Sequence, residues 1–440
     1  MDILIKIAQL FLCFTILVGI HELGHFLMAR AFKIRVEKFY IFFDPWFSLF
    51  KFKRGDTEYG LGWLPLGGYV KIAGMIDESM DKEQMKQPVK PDEFRAKPAW
   101  QRLLVMVAGG MMNVLLAIVI YCAVCYTWGD SYFSNQDAKW GYNFNPTAHE
   151  MGFRDGDRFV SIDGEEIDNV MRVQNDLLIT DGGRRVVVER GGEPVTLDIP
   201  FESLLRMRQE KAYEDLFTLR LPFIVDSVSY TSAVEAGLQS GDEVVAIDDL
   251  RDADYPRYRD YLQKHKNDKV LLTVRRDGAL IDSLALPVDA EGRIGVTVTN
   301  PYSLRTQYYT FWESIPAGIH KAGKTISSYW DQLKLIVQPK TKMYEELGGF
   351  VAIGSIFPGS WDWHDFWLKT AFLSIILAVM NLLPIPGLDG GHALFTLWEI
   401  ITRRKPSEKF LEVAQYVGLM IILALLVYAN GNDIYRFFIK

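Results

Sequence analysis

The chain has 440 residues, 49% hydrophobic and 23% charged. A mean hydropathy of +0.04 is high for a soluble enzyme and low for a pure membrane bundle, so a few spanning helices plus one sizeable water-exposed part are expected. A net charge of −7 lacks the basic surplus that nucleic-acid binding needs, and Cys13, Cys122 and Cys125 all lie in apolar runs, which argues against a disulfide framework.

The first predicted helix runs from Ile3 to Ala29, with Lys6 as its one charge before the motif described next. It lacks a basic leading region and an A-x-A-like exit, so it is expected to be retained rather than cleaved as a signal peptide. His21-Glu22-Leu23-Gly24-His25 lies inside it. Residues four apart share a helix face. His21 and His25 can therefore present two imidazoles to one zinc ion, with Glu22 one position round to act on a water. Ionisable groups in a membrane-length segment are costly and rarely lack a function. Ile3 to His21 spans about 27 Å of helix at 1.5 Å per residue, which sets the histidines near the far end of the span.

A basic stretch follows: Arg30, Lys33, Arg35, Lys38, Lys51, Lys53 and Arg54. Thr57 to Ile72 then reads as a β-hairpin around Pro65-Leu66-Gly67-Gly68, apolar enough to dip into the membrane beside the metal, with an amphipathic surface hairpin as the alternative. Asp77 to Lys97 is densely charged and reads as a solvated link. The second predicted helix, Leu103 to Trp128, has no charged residue and is long enough to span about 30 Å of hydrocarbon. Its Cys122 and Cys125 read as buried apolar residues rather than a metal or redox pair.

The long polar region contains a repeat. Met151-Gly152-Phe153-Arg154-Asp155-Gly156-Asp157 leads into Phe159-Val160-Ser161-Ile162-Asp163, and Ala236-Gly237-Leu238-Gln239-Ser240-Gly241-Asp242 leads into Val244-Val245-Ala246-Ile247-Asp248. Each copy reads as a Gly-rich turn feeding a strand, a pattern similar to PDZ domains, which bind extended peptides by strand addition. A repeated β-turn without a ligand is the plainer alternative. Phe311 to Val337 reads as amphipathic helix on the membrane surface or as a simple bridge, and Trp361-Asp362-Trp363-His364 as an interfacial belt. A third membrane helix is expected around Phe366 to Leu388, broken by Pro384 and Pro386, and a fourth from about Val413 to Ala429. Arg403, Arg404 and Lys405 lie between them, so the positive-inside rule sets both short loops in the cytoplasm, and both termini and the polar region outside.

Two histidines do not complete a catalytic zinc site, which typically has three protein ligands. Asp389, after Pro384 and Pro386 and before Gly390-Gly391, is the best candidate for the third, since a carboxylate at the end of an apolar helix needs a cationic partner. A helix N-cap is its alternative role, and His392 is a rival ligand. Asn381 is suited to hydrogen-bonding a substrate backbone, to positioning the Asp389 segment, or to helix packing. His149, His265, His320 and His364 belong to no ligand-like pattern and are expected at the surface.

H-E-x-x-H in a first membrane helix, N-x-x-P-x-P-x-L-D-G-G in a later one, Pro65-Leu66-Gly67-Gly68-Tyr69-Val70-Lys71, Ala108-Gly109-Gly110-Met111-Met112-Asn113 and the two PDZ-like copies together resemble the site-2 protease family of intramembrane zinc metalloproteases, in its bacterial RseP-like branch, over nearly the full length. The resemblance implies that His21, His25 and Asp389 bind Zn²⁺ and that Glu22 is the general base. It also implies that the segment with Gly67, Gly68, Tyr69 and Val70 pairs with an unwound substrate, which Asn381 helps to hold. Gly110 stands where the family often has proline, and Gly348-Gly349 where Gly-Pro often precedes helix three.

The expected fold is a polytopic α-helical membrane protein of four spans with a membrane-associated β-hairpin and two extracytoplasmic PDZ-like α+β domains. The expected division is 1–128 (first membrane half), 129–217 and 218–300 (PDZ-like copies), 301–365 (linker) and 366–440 (second membrane half). The expected activity is cleavage of single-span membrane proteins already trimmed outside the bilayer, such as an anti-sigma factor or remnant signal peptides. The setting is the bacterial inner membrane, with the PDZ-like copies periplasmic and the active site toward the cytoplasm. A non-catalytic PDZ-type scaffold and a zinc hydrolase of lipidated substrates are the competing functions.

Overall fold

The computed structural model describes residues 2–64, 67–75 and 88–436. It divides into two units, one formed by Met1–Asp130 with Tyr308–Lys440 and the other by Ser131–Gln307.

The first unit is helical and carries a small sheet. Helix α1 is Asp2–Ala31. Four strands follow: β1 Val36–Ile41, β2 Phe43–Arg54, β3 Thr57–Leu64 and β4 Tyr69–Ile72. Helix α2, Ala99–Trp128, starts after Pro98 and ends where Gly129 takes a positive φ of 73°. Helix α3, Phe311–Val337, opens on a capping box in which Thr310 and Glu313 satisfy each other's backbone. A short α4, Phe350–Ser355, precedes α5, Trp363–Leu382, whose first turn is capped by Asp362. Leu383 before Pro384 is extended, as the proline ring requires of its predecessor, and α5 stops there. Helix α6 is Asp389–Thr402, and α7, Glu408–Ile434, is capped by Ser407.

Four helices are long and apolar enough to cross a bilayer: α1, α2, α5 and residues 409–434 of α7. All four spans read from the sequence are present. α2 is the central one, packing against α1, α3, α5 and α6. Its C-terminal half joins Ala117, Ile120, Tyr121 and Val124 to Ala322 of α3 and to Ala371 and Ile375 of α5. α3 is a single continuous helix over the segment read as amphipathic. Ala322 is buried, while Phe311, Trp312 and Ile319 stay exposed.

The hairpin reading of Thr57 to Ile72 needs correction. The sheet order is β2-β3-β1-β4, so β1 lies between the two runs expected to pair. β3 runs parallel to β1, with Lys38 opposite Glu58, and β4 runs antiparallel to β1, with Tyr40 opposite Tyr69. The hairpin is instead β2–β3, turning at Gly55-Asp56 so that Arg54 faces Thr57. The physical reason is that a parallel pair needs a crossover rather than a turn, and no turn signal in the sequence ties Val36–Ile41 to its two neighbours. Pro65 and Leu66, half of the proposed turn, lie outside the described residues, as do residues 77–87 of the charged link. β2 leaves Trp46, Phe47, Leu49 and Phe50 exposed, an apolar face suited to lipid.

The second unit holds two separate apolar cores. The first gathers Tyr142, Phe153, Phe159, Val186, Val188 and Leu204 among others, and the second Phe223, Val244, Tyr258, Leu272, Val274 and Leu286. Strands 158–162, 184–190 and 193–199 with 165–166 form the first copy's main sheet, in spatial order 193–199, 184–190, 158–162, 165–166. Strands 243–247, 269–276 and 279–287 form the second's. This is a pair of small α+β modules of the PDZ-like kind.

The repeated Gly-Asp motif has a structural purpose that the residues alone did not reveal. Asp157 is 1% exposed and Asp242 0%. Arg190 grips Asp157 with Nε and Nη2, each at 2.7 Å, and donates to the Gly152 carbonyl at 2.8 Å. Arg276 repeats this on Asp242 at 2.6 and 2.7 Å and on the Gly237 carbonyl at 2.7 Å. The backbone amides of Arg154 and Gln239 complete the two carboxylates. Burial raises the Asp242 carboxyl pKa, but the Arg276 pair and the Gln239 amide outweigh it and hold the group below its ordinary value.

Candidate active site

Three ligand-type atoms converge in the first unit. His21 Nε2 and His25 Nε2 are 3.2 Å apart, and each is 3.1 Å from Asp389 Oδ2. His21 and His25 come from successive turns of α1, as the spacing predicted. Asp389 comes from the first residue of α6, far along the chain. The Pro384–Leu388 connection after α5 delivers it. Gly390 lies so close to this connection that a Cβ there would sit 2.1 Å from the Leu383 carbonyl oxygen.

The rings lie against α2. The Val105 carbonyl can only accept, so His25 Nδ1 donates to it at 2.8 Å, which leaves the Nε2 lone pair facing the cluster. One turn on, Gly109 makes room: a Cβ there would be 2.3 Å from His25 Nε2 and 2.7 Å from His21 Cε1. With both Nε2 atoms unprotonated, two lone pairs and a carboxylate oxygen at this distance repel one another unless a cation lies among them. Ligands about 2.0–2.1 Å from a tetrahedral ion lie about 3.3 Å apart, close to the triangle seen. The donor set therefore fits zinc. Among the described residues this is the only group of three or more His, Cys, Asp or Glu side chains so arranged.

The cluster opens into a cleft of about 980 Å³. Glu22 lines it. Gly67, Gly68, Tyr69 and Val70 line it too, as do Asn381 and His392. Asn381 Nδ2 is 3.5 Å from His21 Nε2. His392 borders the cleft but is outside the three-atom cluster. β4 is the outermost strand of its sheet on this side. Asp44 also borders the cleft and accepts from the Tyr69 hydroxyl at 2.9 Å. Sequence reasoning missed Asp44; its signal was a lone acid in the aromatic run Phe42 to Phe47. Cys122 and Cys125 are free thiols remote from this chemistry, Cys122 donating weakly to the Ile315 carbonyl at 3.6 Å.

Comparison with known proteins agrees with this geometry. The pattern of peptidase family M50 matches residues 9–425. A Clostridium perfringens protein named as a zinc metalloprotease is 29% identical over 427 residues, covering 96% of each chain. The regulator of sigma E protease of Haemophilus influenzae is 27% identical over 460 residues, covering 99% of this chain and 100% of its own. A Vibrio cholerae protein named as a zinc metalloprotease is 29% identical over 462 residues, with 99% of each chain covered.

A multi-span membrane chain with this donor set is a metalloprotease, and zinc is its cofactor. The chain belongs to peptidase family M50, whose RseP-like members it resembles from end to end.

Proposed function

We propose that the protein cleaves the membrane-spanning segment of single-span substrates, with His21, His25 and Asp389 holding zinc and Glu22 as general base. The observation that carries this reading is the 3.1–3.2 Å triangle of His21, His25 and Asp389 opening onto a cleft bordered by Glu22 and an edge strand. When bound, zinc polarises the scissile carbonyl and makes a water easier to deprotonate. Glu22 takes the proton from the attacking water and delivers it to the leaving amide nitrogen.

A membrane helix hides its carbonyls in its own hydrogen bonds, so a substrate must first unwind. β4 offers its free edge to the unwound segment, and Gly67, Gly68, Tyr69 and Val70 form the side of the cleft along which it lies. Asn381 donates to the substrate backbone near the reacting carbonyl. The basic residues flanking α1 and those at Arg403, Arg404 and Lys405 orient both short loops to the cytoplasm, with the PDZ-like pair outside. Substrates are then those already shortened on the outer side, such as an anti-sigma factor or a remnant signal peptide in a bacterial inner membrane. The PDZ-like copies contribute peptide recognition by strand addition.

The test is cleavage of a single-span reporter by purified enzyme in liposomes. The wild type cuts within the span and releases the cytoplasmic fragment. Glu22→Gln keeps its zinc and loses at least about 10²–10⁴-fold in rate. Wild-type cutting by that variant would remove Glu22 from the role, and failure of the wild type to cut any spanning segment would remove the substrate class.

A further inference from the structure

Asn113 belongs to a motif of α2 that the reaction above does not use. It is completely buried, and its Oδ1 has no hydrogen-bond partner among the described residues. Its Nδ2 lies 3.5 Å from His21 Nδ1. A buried amide oxygen without a donor is costly, and the nitrogen and oxygen of an amide are exchanged by a half-turn of the group. With that half-turn, Oδ1 faces His21 Nδ1 and accepts its hydrogen, and Nδ2 takes the place that Oδ1 held. Nδ1–H then leaves the Nε2 lone pair on the side where His25 Nε2 and Asp389 Oδ2 converge.

The placement has a counterpart. His25 Nδ1 already donates to the Val105 carbonyl. Val105, Gly109 and Asn113 follow one another at four-residue steps on one face of α2. The outer two address the Nδ1 atoms of the two histidines, and the middle one yields space to both rings. Ser374 of α5 donates to the Asn113 carbonyl at 2.8 Å, pinning that turn of α2.

We propose that Asn113 is the positioning residue of His21: its side-chain carbonyl accepts Nδ1–H and so fixes the tautomer and ring plane that present Nε2 to zinc. This rests on the zinc reading of the cleft. The alternative is an Asn that merely packs between helices.

The test uses the full-length protein in detergent, with zinc affinity from chelator competition and the visible absorption of the Co²⁺-loaded form. Asn113→Leu keeps the volume and removes the acceptor; zinc affinity falls about 10–100-fold, as for other partners of metal-bound imidazoles, and the Co²⁺ bands shift. Asn113→Asp restores an acceptor and binds zinc at least as tightly as the wild type. Wild-type affinity with unchanged bands in Asn113→Leu would overturn the proposal, as would Asn113→Asp binding ten-fold more weakly than the wild type. The Asp variant decides alone if the Leu variant does not fold. A wild type that takes up no zinc would overturn the parent reading along with this one.

Discussion

Asp242 in the PDZ-like unit is a fully buried carboxylate and Asp389 in the helical unit a half-buried one on a cleft, and they differ in what faces them. Asp242 meets an Arg276 guanidinium in a two-point grip and a backbone amide. Its charge and lone pairs are answered by the protein itself. Asp389 Oδ2 meets the Nε2 atoms of two imidazoles, each at 3.1 Å. Three such atoms on one spot are a donor set that a shared cation would hold. A buried carboxylate closed by arginine is a brace, whereas a half-buried one grouped with two imidazoles on a cleft is a candidate cation site.

The largest effects should separate the two. His21→Ala is expected to lose both zinc and proteolysis, while the hydrogen-exchange protection of strands 158–162 and 243–247 stays at wild-type level. Loss of protection there would mean that the brace depends on the metal. Next in size, Asp242→Ala leaves Arg276 without its counter-ion and the Gln239 amide without its acceptor, and should lower the denaturation midpoint of the second PDZ-like copy. Zinc content should not change. Chemical denaturation followed by hydrogen exchange in residues 243–247 reports the first quantity and metal analysis the second.

Replacing both partners, Asp242→Leu with Arg276→Met, should cost less than the single change, since an apolar pair leaves no stranded charge. A double variant as unstable as Asp242→Ala would show that the Gly237 carbonyl, not the ion pair, is the main contact. The smallest effect is on acid stability. The Asp242 carboxyl sits below its ordinary value, so its stabilisation is fully present above about pH 4 and is lost as pH falls through the depressed folded value. Asp242→Asn should flatten that acid limb; an unchanged limb would assign it to other carboxylates.

Much of this was legible in the residues because the signals are local. Long apolar runs give the spans, and the four-residue step between His21 and His25 gives two imidazoles on one helix face. Asp389 could be singled out because a lone acid after two prolines in an apolar stretch is costly unless a cation meets it. What was not legible depends on pairing across the chain. β1 runs parallel to β3 and lies between β3 and β4, an arrangement that a turn-based reading of Thr57 to Ile72 could not anticipate. The Arg190 and Arg276 braces join residues 33 and 34 positions from their aspartates, and nothing in the Gly-Asp motif marks its partner. Val105 acts on His25 through its backbone carbonyl, which carries no side-chain signature. Asn113 lies in a motif visible in the sequence, but its proximity to His21 emerges only when α1 and α2 are packed together.

The central claim is that His21 and His25 of α1 and Asp389 of α6 share one zinc ion. Metal analysis of the purified wild type and of Asp389→Ala tests it most directly. One zinc per chain in the wild type and a loss of most of it in the variant is the expected result. Undiminished, stoichiometric zinc in Asp389→Ala would contradict it.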